Sequence, residues 1–128
     1  MVAKKIVIVD DDENIRKTFS LLLGEKYRVS SLKDSREALS KLKNTRADLI
    51  IADYKLPYLN GMDLIEKLRE QGFKGEAMLI TAHPDDVKIE DMSRLAISHF
   101  FVKPLDLNVL DLSIDRVLQL RNPLESAA

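Results

Sequence analysis

Asp53 ends the apolar run Leu49-Ile50-Ile51-Ala52, and three other apolar runs end on polar groups in the same way. Ile6-Val7-Ile8-Val9 runs into Asp10-Asp11, Ala77-Met78-Leu79-Ile80 into Thr81, and Phe100-Phe101-Val102 into Lys103. If these runs are neighbouring parallel strands, one sheet edge collects three carboxylates, a hydroxyl and an ammonium. Carboxylates so close repel one another, and one or more pKa rises unless a cation relieves them. Oxygen donors alone suit a hard divalent ion. Mg²⁺ is the natural candidate, because it takes one or two carboxylates, keeps several waters and meets phosphate. Mn²⁺ accepts the same donors. Cobalt, copper or zinc would recruit imidazole or thiolate. There is no cysteine, and His83 and His99 show no ligand spacing, so both histidines read as ordinary loop or strand residues.

With such a metal in place, Asp53 can act as a nucleophile toward a phosphoryl donor, since carboxylates form covalent aspartyl-phosphates. Lys103 can pair with one oxygen of the product and the Thr81 hydroxyl can donate to another. Positioning and charge neutralisation carry most of the catalysis in phosphoryl transfer. No further acid-base group is required, and none stands out. Each residue also has a plain structural explanation. Asp11 or Asp12 could cap a following helix, and for Asp12 that explanation is the better one. Asp53 could be a turn residue, Thr81 a loop hydroxyl and Lys103 a solvated charge. Four such explanations at four strand ends are harder to accept together than one shared site.

The elements that would position these residues follow from the hydropathy pattern. Short apolar runs alternate with segments of helical period, which indicates βα units and a parallel sheet. Unbroken apolar strands fit a sheet covered on both faces. Strands are expected near 5–10, 27–31, 48–53, 76–81 and 99–102, the second being polar enough for an edge. The expected fold class is α/β, a five-stranded parallel sheet of order 2-1-3-4-5 flanked by five helices, flavodoxin-like and doubly wound. In such sheets ligands bind beyond the carboxyl ends of the strands, where strand order reverses. That places Asp10, Asp11 and Asp53 together.

The first helix should begin at Asp12–Glu13, bury Ile15, Phe19, Leu22 and Leu23, and stop at Gly24. The second should begin at Asp34 with Glu37 in a capping-box pairing, burying Ala38, Leu39 and Leu42. The third follows Asn60-Gly61 and buries Leu64, Ile65 and Leu68. The fourth, over about 85–96, has a thin stripe of Ile89, Met92 and Ala96. The fifth, over about 106–121, presents Leu110, Ile114, Val117 and Leu118. It carries a second stripe of Leu105, Val109, Leu112 and Leu120, interrupted by Arg116. One stripe is enough to dock a surface helix. Two imply either a wide buried face or a contact with a partner, and periodicity does not separate these.

The chain's 128 residues suit a single domain over 1–128, with a core of about 5–121 and a short tail from Arg121 to Ala128. Hydrophobic residues at 45% can fill a core, and the net charge of −1 gives no pull toward nucleic acid or an anionic membrane. There is no basic cluster of the kind that tracks phosphate backbones. The absence of cysteine excludes disulfides and thiol catalysis and fits a cytoplasmic protein. No apolar stretch approaches the roughly 20 residues of a membrane span. Met1-Val2-Ala3-Lys4-Lys5 leads into four apolar residues, too few for the core of a signal peptide.

With these motifs the chain resembles the receiver domains of two-component response regulators, over Lys5 to about Arg121. The resemblance rests on Ile6-Val7-Ile8-Val9-Asp10-Asp11-Asp12, on Asp53-Tyr54-Lys55-Leu56-Pro57 followed by Asn60-Gly61-Met62, on Leu79-Ile80-Thr81-Ala82, and on Phe101-Val102-Lys103-Pro104. It implies that Asp53 is the phosphoacceptor and that a sensor histidine kinase or phosphotransfer protein supplies the phosphoryl group. It implies Mg²⁺ on Asp10, Asp11, Asp53 and the backbone carbonyl of Lys55. Thr81 becomes the switch hydroxyl, Phe100 the switch aromatic, and Lys103 the family lysine, followed by a cis bond to Pro104. Lys55 and His83 fall where the family tunes how long the phosphate persists, by orienting or by blocking the attacking water. The output face would be the fourth helix, fifth strand and fifth helix, open to a second copy or an output partner.

One segment departs from the family. Ala96-Ile97-Ser98-His99 lacks the Gly-Ala-type turn common before the fifth strand. Two other functions compete. A Mg²⁺-dependent phosphohydrolase of the haloacid-dehalogenase type would need an acid two residues after the nucleophile, where Lys55 stands. A receiver-like module that binds without phosphorylation would not need the full acidic set. The expected protein is therefore a signalling switch and not an enzyme that turns over external substrates.

Overall fold

The computed structural model describes residues 3–120, with the side chain of Leu120 excepted, and the expected tail beyond Leu120 lies outside that range, as do Met1 and Val2. Five parallel strands form one sheet in the order β2-β1-β3-β4-β5. They are β1 (Lys5–Val9), β2 (Arg28–Leu32), β3 (Leu49–Asp53), β4 (Glu76–Thr81) and β5 (Ile97–Val102). Between and after them come α1 (Glu13–Leu23), α2 (Ser35–Asn44), α3 (Gly61–Glu70), α4 (Ile89–Arg94) and α5 (Leu107–Leu120).

The unbroken apolar strands follow from two hydrophobic layers. Val7, Val9, Ile50, Ala52, Ala77 and Leu79 face one layer, closed by Met62, Leu64, Ile65 and Leu68 of α3. Their alternates Ile6, Ile8, Leu49, Ile51, Met78 and Ile80 face the other. That second layer is closed by Phe19 and Leu23 of α1 and by Leu110, Ile114, Val117 and Leu118 of α5. Both faces of β1, β3 and β4 are therefore dry, and only polar residues at the strand ends reach water.

The helix starts are specified locally. The Asp12 carboxylate accepts from Asn14 N–H at 2.8 Å and caps α1, and Asn60 accepts from Asp63 N–H at 2.8 Å and caps α3. Asp34 caps α2 through Glu37 N–H at 2.9 Å, while the Glu37 side chain reaches back one residue further than a capping box requires, to Lys33 N–H. Such caps contribute about 1 kcal/mol each. Gly24 ends α1 in right-handed conformation, with φ of −65°.

The fourth helix differs from expectation. A single fourth helix over 85–96 does not form. A 3₁₀ turn at Pro84–Asp86 precedes α4, which has six residues and no side-chain cap at Lys88. Its expected stripe is seated only at Met92: Ile89 is 75% exposed and Ala96 lies outside the helix with φ of 55°, while Leu95 and the half-buried Val87 join Met92 in the contact with the core. On α5 the second stripe is not a buried face. Val109 is 50% and Leu112 68% exposed, and Leu105 is half-buried.

Strand β5 starts two residues before the expected position. Its register jumps from Ala77↔Ile97 to Met78↔His99, which leaves Ser98 as the extra residue of a bulge. After the bulge His99 and Phe101 share a face, their rings stacked 5.9 Å apart. The alternate residues Phe100 and Val102 are partly exposed.

Candidate functional site

Strands β1 and β3 are hydrogen-bonded neighbours, and their carboxyl ends carry Asp10 and Asp53. Parallel strands in register end together, so the acids are brought side by side. Asp10 has no exposed surface and Asp53 only 6%, whereas Asp11 opens to solvent. One carboxylate oxygen from each of Asp10, Asp11 and Asp53 lies within 4.8 Å of the other two. Lys103, just past β5, reaches over the end of β4. Its Nζ lies 2.9 Å from Asp53 Oδ2 and 3.4 Å from Asp10 Oδ2.

The balance of charge is unfavourable for this cluster alone. Burial pushes the Asp10 carboxyl up to about 6, and the Asp53 charge adds to the rise. The Asp12 N–H, which donates to Asp10 Oδ1 at 2.8 Å, and Lys103 oppose it. For Lys103 the partial burial works against the ammonium, but the hydrogen bond to Asp53 and the charges of Asp10 and Asp53 outweigh it and its pKa is raised. One ammonium faces three carboxyl groups. A divalent cation with oxygen ligands fits the deficit and the donor set.

The remaining predicted residues surround this centre. Lys55 N–H donates to Asp53 Oδ1 at 3.2 Å, while the Lys55 side chain is exposed. Thr81 is buried at the end of β4, and its Oγ1 accepts from His83 N–H at 2.8 Å. The His83 ring is exposed. Phe100 is 37% exposed on β5. The Lys103–Pro104 peptide bond is cis. Gly61 opens α3 directly beneath Asp53, and a Cβ there would lie 2.4 Å from the Asp53 carbonyl oxygen, so only glycine allows this approach.

Arg16 is a contact that sequence reasoning passed over. Its guanidinium donates to the Asp10 carbonyl at 2.8 Å. The signal was its position one turn into α1 from Asp12, on the side of the helix that faces the acids. The His99 Nδ1 is buried without a hydrogen-bond partner among the described residues.

Fold and site together define a class, and comparison with known proteins agrees. The family model "Response regulator receiver domain" matches residues 6–115, so the chain belongs to the response regulator receiver domain family. It is 34% identical over 128 residues to the transcriptional regulatory protein FlgR of Helicobacter pylori, covering 94% of this chain and 32% of that protein. It is 32% identical over 125 residues to the response regulator protein PilR of Pseudomonas aeruginosa, covering 96% of this chain and 28% of that one. The chain thus spans about a third or less of these relatives. Among solved structures, the chemotaxis response regulator CheY4 of Vibrio cholerae superposes with a TM-score of 0.80 at 27% identity, over 91% of this chain and 99% of that one. A CheY-like receiver domain protein from Methanospirillum hungatei does so with 0.85 at 26% identity, over 94% and 98%. Receiver domains are signalling domains and not turnover enzymes. Among the described residues, no helix is long and apolar enough to cross a membrane.

Proposed function

We propose that the chain is a phosphoacceptor switch, one receiver unit over 1–128, that takes a phosphoryl group on Asp53 from a sensor histidine kinase or phosphotransfer protein in the cytoplasm. The observation that carries this reading is the meeting of Asp10, Asp11 and Asp53 within 4.8 Å, with Lys103 Nζ 2.9 Å from Asp53. Asp10, Asp11, Asp53 and the Lys55 carbonyl would hold Mg²⁺. When bound, the ion neutralises charge on the phosphoryl oxygens.

The chain's own groups do the rest. An Asp53 oxygen attacks phosphorus while the bond from phosphorus to the donor's histidine nitrogen breaks, and that nitrogen keeps the electron pair. Lys103 shifts its hydrogen bond from the carboxylate to a phosphoryl oxygen. The Thr81 hydroxyl, which now accepts from His83 N–H, turns to donate to another. Lys55 and His83 stand beside the path of the hydrolytic water and set how long the phosphate lasts. The movement of Thr81 frees space that Phe100 takes up, and the face of α4, β5 and α5 changes for a second copy or an output partner. This is a two-state element biased by a charge change.

The test is intact-mass spectrometry after incubation with Mg²⁺ and acetyl phosphate. The wild type gains one phosphoryl group, and neither Asp53→Asn nor the wild type with chelator does. An unmodified wild type overturns the reading, and turnover of small phosphomonoesters would point to a hydrolase instead.

A further inference from the structure

Five polar or charged residues are buried among the described ones: Asp10, Asp53 and Thr81 at the site, Asp34 as the cap of α2, and Ser35. Ser35 has no exposed surface and no part in the chemistry above. Its hydroxyl donates to the Pro57 carbonyl at 2.8 Å and accepts from Leu59 N–H at 2.9 Å. These two peptide groups flank Tyr58, whose φ of 77° lies in the left-handed region. For a bulky residue that conformation is a genuine outlier, and it persists where the surroundings over-determine it. The surroundings here are the first turn of α2, together with the tight turn closed by Leu59 N–H to the Pro57 carbonyl at 3.1 Å. Ser35 holds the main chain on both sides of Tyr58, and the Arg36 guanidinium lies 3.6 Å over its ring and hydrogen-bonds its hydroxyl.

The held segment is the loop that follows Asp53. Its near end is fixed by Tyr54 N–H to the Ile80 carbonyl at 2.8 Å, by Gly61 N–H to the Tyr54 carbonyl at 2.7 Å, and by Lys55 N–H to Asp53. Only Leu56 separates Lys55 from Pro57. The peptide that carries the Lys55 carbonyl therefore lies between two fixed points, one at Asp53 and one at Ser35. We infer that Ser35, with Arg36 beside it, is a positioning residue for divalent-cation binding at Asp53, acting through the main chain of the β3–α3 loop. The inference rests on the reading of Asp53, Asp10, Asp11 and the Lys55 carbonyl as the cation site. It assigns to α2, which contributes no group to that site, a share in its affinity.

The experiment is a Mg²⁺ titration of the unphosphorylated protein, followed through the amide resonances of Asp53 and Lys55. Removing a group that orients metal ligands commonly lowers affinity by 10–100-fold. Ser35→Ala should raise the Mg²⁺ Kd about tenfold, at the lower end of that range because the contact is indirect. Arg36→Ala, at an exposed position that leaves the core untouched, should raise it in the same direction and by less. Ser98→Ala is the control. It removes a hydroxyl that donates to the Ala77 carbonyl at 3.3 Å, remote from the site, and should leave the Kd unchanged. A wild-type Kd in both Ser35→Ala and Arg36→Ala overturns the inference while leaving the reading of Asp53 intact. A wild type whose Asp53 and Lys55 resonances do not respond to Mg²⁺ overturns both.

Discussion

Lys103 Nζ lies 2.9 Å from Asp53 Oδ2, although their strands are not neighbours: β4 runs between β3 and β5, and the ammonium reaches across its end. The bond ties the edge strand to the centre of the sheet at the point where the acids crowd. Lys103→Met removes that tie and, among the described residues, the ammonium that pairs with Asp10 and Asp53. Acetyl phosphate labelling of Asp53 should slow by about 10²-fold, the usual loss when one donor to a developing oxyanion is deleted. Mg²⁺ affinity should rise, because one positive charge leaves the neighbourhood of the ligands. Labelling at the wild-type rate would remove Lys103 from the mechanism.

The raised Asp10 pKa has a defined sign for stability. The group titrates at about 6 in the folded chain against 3.8 for the free side chain, so the folded state binds more protons between those values. Stability contributed by Asp10 is present below about pH 4 and is lost as pH rises through about 6. At pH 7.5 without divalent cation, Asp10→Asn should therefore stabilise the fold. The full shift corresponds to about 3 kcal/mol, and loss of a Lys103 partner reduces the expected gain to about 1–2 kcal/mol. Thermal denaturation in chelator measures it. The same substitution should abolish the stabilisation that Mg²⁺ gives the wild type.

The residues that sequence placed well share a property. Asp10, Asp53, Thr81 and Lys103 each end an apolar run, and a parallel sheet in register converts that pattern directly into proximity. The buried stripes of α1, α3 and α5 were legible for a similar reason, since 3.6-residue spacing reports one face. The failures concern partners that spacing does not identify. The stripe of Ile89, Met92 and Ala96 is apolar, yet Ile89 meets no core surface, and Leu95 takes its place. The Ser98 bulge depends on where β5 pairs with β4, a choice made across the sheet. Ser35 contacts a loop 22 residues away and carries no local pattern at all.

Ala96 shows how a departure from the family can be accommodated at a cost. It occupies the left-handed region with φ of 55°, between Leu95 and the start of β5. Arg69 stabilises this turn, donating to the Leu95 carbonyl at 2.9 Å and to the Ala96 carbonyl at 3.3 Å. A left-handed L-residue costs roughly 1–2 kcal/mol, and glycine avoids it at some expense in unfolded-state entropy. Ala96→Gly should stabilise the chain by about 0.5–1 kcal/mol in urea denaturation. A loss of stability would mean that the turn is not strained.

Leu112 separates the two meanings of the second stripe on α5. It is 68% exposed, while Leu110 and Ile114, two residues to either side, are completely buried. The core therefore does not use it. Leu112→Glu should change unfolding free energy by no more than about 0.5 kcal/mol, as exposed substitutions do. Asp53 labelling by acetyl phosphate should proceed at the wild-type rate, because α5 contributes no group to that centre. What should change is association. Phe100, Val102, Leu107, Val109 and Leu112 are all exposed apolar residues on β5 and α5, and a carboxylate set among them disfavours a dry contact. If the phosphorylated wild type self-associates in sedimentation velocity, the variant should stay monomeric. A variant that unfolds would show instead that Leu112 is seated in the core, and one that associates normally would move the partner surface to another face.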